Sequence, residues 1–265
     1  MPTPTSDPRR LDEVVARAAG VSRSRARSLI IAGRVRVDGH PATKPGTTVR
    51  AEAALDVERP RPYVSRGGEK LEAALDAFAW PVTGARALDV GASTGGFTDC
   101  LLARGAAHVT ALDVGYGQLA VALRDDPRVR VVERTNFRLA APGTLGDPFD
   151  VVTIDASFIS VVALLDRARG FLRDQGAIVA LIKPQFEAGR ERVGSGVVRD
   201  PAVHGAILQE TREATLALGL VPVALVASPL RGPAGNVEFF ALVRHRGEAY
   251  DDVAIASALA NVPPA

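Results

Sequence analysis

Residues 87–102, ALDVGASTGGFTDCLL, open on an apolar run, turn on glycines and continue with helical spacing. Gly91, Gly95 and Gly96 remove side chains where the backbone turns sharply, and they let a ligand approach the start of the next helix closely. A glycine-rich turn joining a strand to a helix points to a nucleotide-like pocket in an open α/β sheet. Ala92, Ser93 and Thr94 separate Gly91 from Gly95, which departs from the GxGxxG of dinucleotide binding and argues against a nicotinamide cofactor.

Working outward, apolar and β-branched runs predict strands near 86–90, 108–113, 129–133, 150–155, 177–183, 222–228 and 237–243. Helical patterns lie between most of them, which predicts a parallel, doubly wound sheet. Only SPLRGPAGN, residues 228–236, separates the last two strands. That is too short for a crossover helix, so they should pair as an antiparallel hairpin. A seven-stranded α/β sheet whose last strand is antiparallel resembles the Rossmann-like fold of a class I methyltransferase.

The second strand ends at Asp113, where a carboxylate can accept hydrogen bonds from ribose hydroxyls; the plainer reading is a helix cap. The third strand leads to Asn136, a neighbour for an adenine ring. With Asp155 and the turn Gly91, Ala92, Ser93, Thr94, Gly95, Gly96 and Phe97, these residues look like an S-adenosylmethionine site.

Ligands of doubly wound sheets sit beyond the carboxyl ends of the strands. Asp155 and Lys183 end two parallel strands, so both belong on that rim. Glu238 begins the returning strand and reaches the rim from the opposite direction. Lys70 lies in the first turn of the helix that leads into the first strand, where its charge opposes the helix dipole. Two lysines and two carboxylates could form a structural ion-pair network. The functional reading is a tetrad for methyl transfer to a ribose 2′-hydroxyl. Such a hydroxyl is a poor nucleophile at neutral pH, and an amine kept neutral by its surroundings can take its proton.

Net charge is +2, unevenly spread: the first 62 residues hold 12 Lys and Arg against 7 Asp and Glu. Leu11, Val14, Val15 and Ala18 have helical spacing, ended by Gly20. Ser22 or Ser24 can cap a second helix whose first turns carry Arg23, Arg25 and Arg27. RVRVDGHPAT then alternates as a strand and turns at Asp38–Gly39. Three arginines at a helix start oppose its dipole, and phosphate binding would explain them. SRSRARSLIIAGRVRVDG followed by TKPGTTV resembles the S-four-like RNA-binding domain over about residues 9–57. That resemblance implies RNA contacts by Arg23, Arg25, Arg27, Arg34 and Lys44, with Arg66 added from the next domain. The expected organisation is an RNA-binding domain at 1–58, a proline-rich linker at 59–64, a methyltransferase domain at 65–247 and a short helix or tail at 248–265.

The ordered set YVSRGGEKLEAAL, LDVGASTGGFTD, ALDVGYGQL, ERTN, IDASFIS, KPQFEAGRERVG, GVVRDP and SPLRGPAGNVEFF resembles the hemolysin A (TlyA) family over nearly all of residues 9–245. These are FtsJ-like ribosomal RNA 2′-O-methyltransferases. The resemblance implies Lys183 as the central catalytic lysine, completed by Lys70, Asp155 and Glu238, with a cytidine of ribosomal RNA as substrate. Two departures stand out: VGSGVVRD is one glycine shorter than the usual loop, and Tyr63 stands where an indole is common.

Other expectations follow from composition. No apolar run reaches the roughly 20 residues of a membrane-spanning helix, and MPTPTSDPRR is not signal-like, which predicts a cytoplasmic protein. The single Cys100 and the scattered His40, His108, His204 and His245 predict no metal site. Ribosomal RNA or ribosomal subunits are the expected partners of a monomer. QFEAGRERVG after Pro184 is a candidate lid over the RNA. The competing readings are a membrane-active hemolysin, as the family's older name suggests, and a noncatalytic RNA-binding assembly factor.

Overall fold

The computed structural model describes residues 8–50, 52–58, 62–146, 148–189 and 196–264, and the chain divides into two compact units, Met1–Arg61 and Pro62–Ala265.

The smaller unit runs β1 (Arg9–Arg10), helices Leu11–Ala19 and Arg23–Ile31, β2 (Val35–Val37), β3 (His40–Pro41), β4 (Thr48–Val49) and β5 (Leu55–Val57). Gly20 closes the first helix at φ 65°, a left-handed conformation that glycine adopts without steric cost. Ser22 caps the second, its Oγ accepting the Arg25 amide at 3.2 Å. Asp38 and Gly39, both at positive φ, turn β2 into β3 as the sequence predicts. Leu11, Val15, Ala26, Leu29, Ile30 and Val35 make a small core, and the arginines between them face outward.

The larger unit carries β6 (Arg86–Val90), β7 (His108–Leu112), β8 (Val129–Val132), β9 (Phe149–Ile154), β10 (Leu172–Ile182), β11 (Val221–Ala227) and β12 (Phe239–Arg244). They form one sheet in the order β11-β12-β10-β9-β6-β7-β8. β6 to β10 are parallel, and β12 is antiparallel to both neighbours. This is the predicted methyltransferase sheet. One difference is β10, which starts at Leu172 rather than 177. Its first residues are polar, and the register with β9 shifts between Leu172 and Ala177. A Cβ on Gly176 would stand 2.9 Å from the Asp150 carbonyl oxygen, so glycine admits the crossing.

Both faces of the sheet are buried, as a parallel sheet requires. Along β10, Ile178, Ala180 and Ile182 join one core, while Ala177, Val179 and Leu181 join the other. Phe149, Phe171 and Phe239 are wholly buried in the first core, each stabilising by about 1.5–3 kcal/mol relative to exposure. The last helix, Asp252–Ala260, packs Ile255 and Ala258 into that core and is capped by Asp251.

Of the expected linker, residues 59–61 lie outside the described residues. Tyr63 and Val64 are fastened to the larger unit. The Tyr63 hydroxyl donates to Glu72 at 2.7 Å, and the Val64 amide donates to Asp99 at 2.8 Å. Gly68 makes room for the Tyr63 ring, which a Cβ there would meet at 2.3 Å. Residues 1–7, and 190–195 of the candidate lid and shortened loop, also lie outside the described residues. The part of the lid that is described begins as a helical turn, Pro184–Glu187.

Candidate active site

Lys183 follows the fully buried run Ile178–Ile182, with Pro184 as the first residue of the helical turn after it. Pro184 has no amide to donate, and the ladder of β10 with β12 ends at Ile182. Lys183 is only 8% exposed, and a charge so withdrawn from water needs a partner. Its Nζ lies 2.6 Å from Asp155 Oδ1, just beyond β9, and donates to Ser157 Oγ at 3.3 Å. Lys70, one turn into the Arg66–Ala77 helix, pairs in the same way with Glu238, just before β12, at 2.5 Å. Glu238 is 2% exposed. The structure thus brings the four charged residues into two lysine–carboxylate pairs, Lys70–Glu238 buried and Lys183–Asp155 with its carboxylate partly exposed.

Lys183 and Glu238 line one cavity of about 480 Å³, with Gln185, Phe158, Phe186 and Asn236 among its other walls. Phe158 is 91% exposed and held at φ 64°, and its ring lies 5.2 Å from that of Phe186. A non-glycine residue in that conformation is strained, and such strain clusters at functional sites. Gly232 closes the cavity against Glu238, where a Cβ would meet Oε1 at 2.7 Å.

A second cavity of about 530 Å³ is lined by Gly91, Ser93, Asp113, Asn136 and Asp155 over an apolar floor that includes Leu112, Val114 and Phe137. Ser157 and Phe158 line both cavities. Gly91 has φ 86°, and a Cβ there would stand 2.5 Å from the Asp155 carbonyl oxygen. Asp113 caps no helix. Its two oxygens accept the amides of Ser93 at 2.8 Å and Gly115 at 2.7 Å, which fixes the carboxylate at the cavity edge. Asn136 caps a short 3₁₀ turn, accepting the Arg138 amide at 3.0 Å.

The rest of the glycine turn serves packing. Ala92 and Phe97 are buried, and the Phe97 ring lies against Phe240. Thr94 is exposed, its carbonyl accepting the Ala120 amide at 3.2 Å. Side chains on Gly95 and Gly96 would strike Leu123 and the Ser65 hydroxyl. Those two glycines therefore admit neighbouring protein rather than the ligand the sequence suggests, and none of these five residues is among the walls of the second cavity.

Sequence reasoning missed two acids, Asp89, which is buried, and Glu187, which is partly buried. Asp89 in β6 accepts hydroxyl hydrogen bonds from Thr98 at 2.7 Å and Thr153 at 3.0 Å, tying the glycine turn's helix and β9 to β6. Burial pushes its carboxyl up to about 6, against the opposing pull of Thr98. Glu187 accepts from the Ser160 hydroxyl at 2.6 Å and the Val161 amide at 2.7 Å, joining the turn after Lys183 to the loop after Asp155. Burial raises its pKa as well. An acid inside an apolar run was the available signal for Asp89; Glu187 had none.

In the smaller unit, Arg25, Arg27, Arg34 and Lys44 are exposed. Arg23 differs from the expectation, because it bridges back to Asp12 at 3.3 Å and Glu13 at 2.9 Å. The hydrogen bonds from Arg10, and then from Arg23, hold the buried Asp12 carboxyl down at about 2. An intramolecular carboxylate thus accounts for one of the three dipole-opposing arginines. In the larger unit, Arg66 donates to the Arg231 carbonyl at 2.9 Å.

Comparisons with known proteins agree with this geometry. The FtsJ-like methyltransferase profile matches residues 63–245, and the S4 domain profile matches residues 9–55. A Mycobacterium tuberculosis protein named 16S/23S rRNA (cytidine-2′-O)-methyltransferase TlyA is 51% identical over 88% of each chain. Hemolysin A of Brachyspira hyodysenteriae is 40% identical over 88% of this chain and 98% of its own. Among solved structures, a candidate hemolysin from Streptococcus thermophilus superposes with a TM-score of 0.74, at 37% identity, covering 96% of this chain and 94% of that one. Among the described residues no helix is long and apolar enough to cross a membrane. The chain belongs to the FtsJ-like methyltransferase family, in the TlyA (hemolysin A) group, and carries an S4 domain ahead of its methyltransferase domain.

Proposed function

We propose that the protein transfers a methyl group from S-adenosylmethionine to the 2′-hydroxyl of a cytidine in ribosomal RNA. The observation that carries this reading is the Lys183–Asp155 pair beside Ser157 and Phe158, the residues common to both cavities. The second cavity fits the cofactor. Its apolar floor suits a purine, and Asp113, fixed at the cavity edge by two backbone amides, suits a ribose diol. Gly91, Ser93, Asp113 and Asn136 would hold it. When bound, S-adenosylmethionine supplies an electrophilic methyl group on a sulfonium that leaves as a neutral thioether.

The chain's own residues handle the hydroxyl. Lys183 Nζ, in its amine form, takes the 2′-hydroxyl proton, and the Asp155 carboxylate at 2.6 Å holds the ammonium that results. Lys70, fixed by Glu238 at 2.5 Å, holds that carboxylate in the wall of the cavity that Lys183 also lines. Phe158 presents an exposed aromatic face suited to a target base. The relative's name includes RNA of both ribosomal subunits, and we extend both to this chain. Arg25, Arg27, Arg34 and Lys44 contact RNA phosphates. The protein acts in the cytoplasm, where its substrate is made.

Tritiated methyl incorporation into ribosomal subunits tests this. Lys183→Ala should lower the single-turnover rate by about 10²–10⁴-fold with RNA affinity unchanged. Lys183→Arg should be as inactive, because a guanidinium does not give up its proton. Undiminished incorporation by either variant refutes the assignment of Lys183.

A further inference from the structure

We propose that Gln185 is the hydrogen-bond partner of the target base, its Oε1 accepting from the exocyclic amine of cytosine. This inference rests on the methyl-transfer reading above and deepens it. Gln185 lines the cavity that holds Lys183 and Glu238. Its Oε1 is buried in the cavity wall without a hydrogen-bond partner among the described residues. A buried acceptor left without a donor is costly, and native proteins keep few of them.

The other polar side chains on these walls are already committed. Ser157 receives Lys183, which also pairs with Asp155, and Glu238 receives Lys70. Asn236 accepts the Val198 amide at 3.1 Å and donates to the Gly196 carbonyl at 3.1 Å. That carboxamide holds the chain after the candidate lid and has no free role in recognition. Gln185 Oε1 makes no hydrogen bond where it sits, so turning it towards a ligand forfeits none. Phe158 and Phe186 line the same cavity and offer ring faces to a base whose edge meets the carboxamide. The Watson–Crick edge of cytosine sets an amine donor beside a ring-nitrogen acceptor. A carboxamide offers the complementary acceptor and donor.

The test is a double-mutant cycle between enzyme and base. Single-turnover methylation is measured on ribosomal RNA carrying either cytidine or its analogue lacking the 4-amino group at the target position. With the wild-type enzyme, losing the amine should lower kcat/KM about tenfold or more. With Gln185→Leu, cytidine should fall to the analogue's level and the analogue should lose little more. Affinity for S-adenosylmethionine, set in the other cavity, should stay within twofold. Gln185→Glu retains an acceptor and should keep the response to the amine, which covers the case of a poorly folded leucine variant. Additive losses, with the amine mattering equally in both enzymes, overturn the proposal. Absence of methylation by the wild-type enzyme on either RNA overturns instead the reading on which it rests.

Discussion

Asp12 in the smaller unit and Asp89 in the larger one are both buried, yet their carboxyl groups titrate in opposite directions. Asp12 is met by two arginines that are themselves about half exposed, and its pKa falls to about 2. Asp89 is met by two threonine hydroxyls inside a closed sheet, and its pKa rises to about 6. The small core is thin enough for cations on its surface to reach an acid beneath them. The interior of the large unit keeps solvated cations away from Asp89, leaving only neutral donors. The same contrast separates the half-exposed ion pairs of the smaller unit from the Lys70–Glu238 pair of the rim, which the fold has withdrawn from water.

The sharpest way to break this contrast is to remove one member of a pair in each unit. Glu238→Leu leaves the Lys70 ammonium buried without its partner and should lower stability of the larger unit by roughly 3–5 kcal/mol. Glu13→Ala removes an acid that is 48% exposed from an arginine that is 51% exposed, and should change stability by less than about 1 kcal/mol. Denaturant unfolding of the full chain, with a probe in each unit, compares the two. Equal losses would mean that the rim pair is far better hydrated than its burial implies.

The next effect is on pH dependence. Asp12 has a folded pKa of about 2 against an ordinary 3.8. Its contribution to the smaller unit is complete above about 3.8 and lost as pH falls through about 2. Asp89 has the opposite sign. With a folded pKa of about 6, its contribution is greatest below 3.8 and is lost as pH rises through about 6. Asp89→Asn should therefore flatten the decline in stability of the larger unit between about pH 4 and 6, while Asp12→Asn should flatten the acid limb of the smaller one. Carboxyl carbon shifts followed by NMR should give midpoints near 2 and 6. A shared midpoint would erase the difference.

The sequence shows most of the fold and about half of the site, and the division has a physical basis. Sheet order and strand ends follow from apolar runs and connection lengths, which are local. Lys70, Asp155, Lys183 and Glu238 are legible because topology carries strand ends to one rim. What is hidden depends on partners distant in the chain: Arg23 on Asp12, Thr153 on Asp89, Ser160 on Glu187. Gly95 and Gly96 show the same limit. Their missing side chains suggest a ligand in the sequence, and only the positions of Leu123 and Ser65 show that protein fills the space.

The smallest effect concerns the arginines that open the second helix. If Arg23 belongs to Asp12 and Glu13, it is less available to phosphate than Arg25 and Arg27, which are exposed on the same turns. Each phosphate contact releases condensed counterions, so losing one lowers the salt dependence of binding by about one unit of slope. Arg25→Ala combined with Arg27→Ala should therefore reduce the slope of log affinity against log salt for ribosomal RNA by about 1.5–2, with stability nearly unchanged. Arg23→Ala should leave that slope almost where it was. It should instead raise the Asp12 titration midpoint, because one of the two arginines holding the carboxylate down is gone. Fluorescence anisotropy across a salt series measures the first effect and NMR titration the second. A full unit of slope lost with Arg23, and an unmoved Asp12, would show that all three arginines face the RNA and that the smaller unit binds none of its charge to itself.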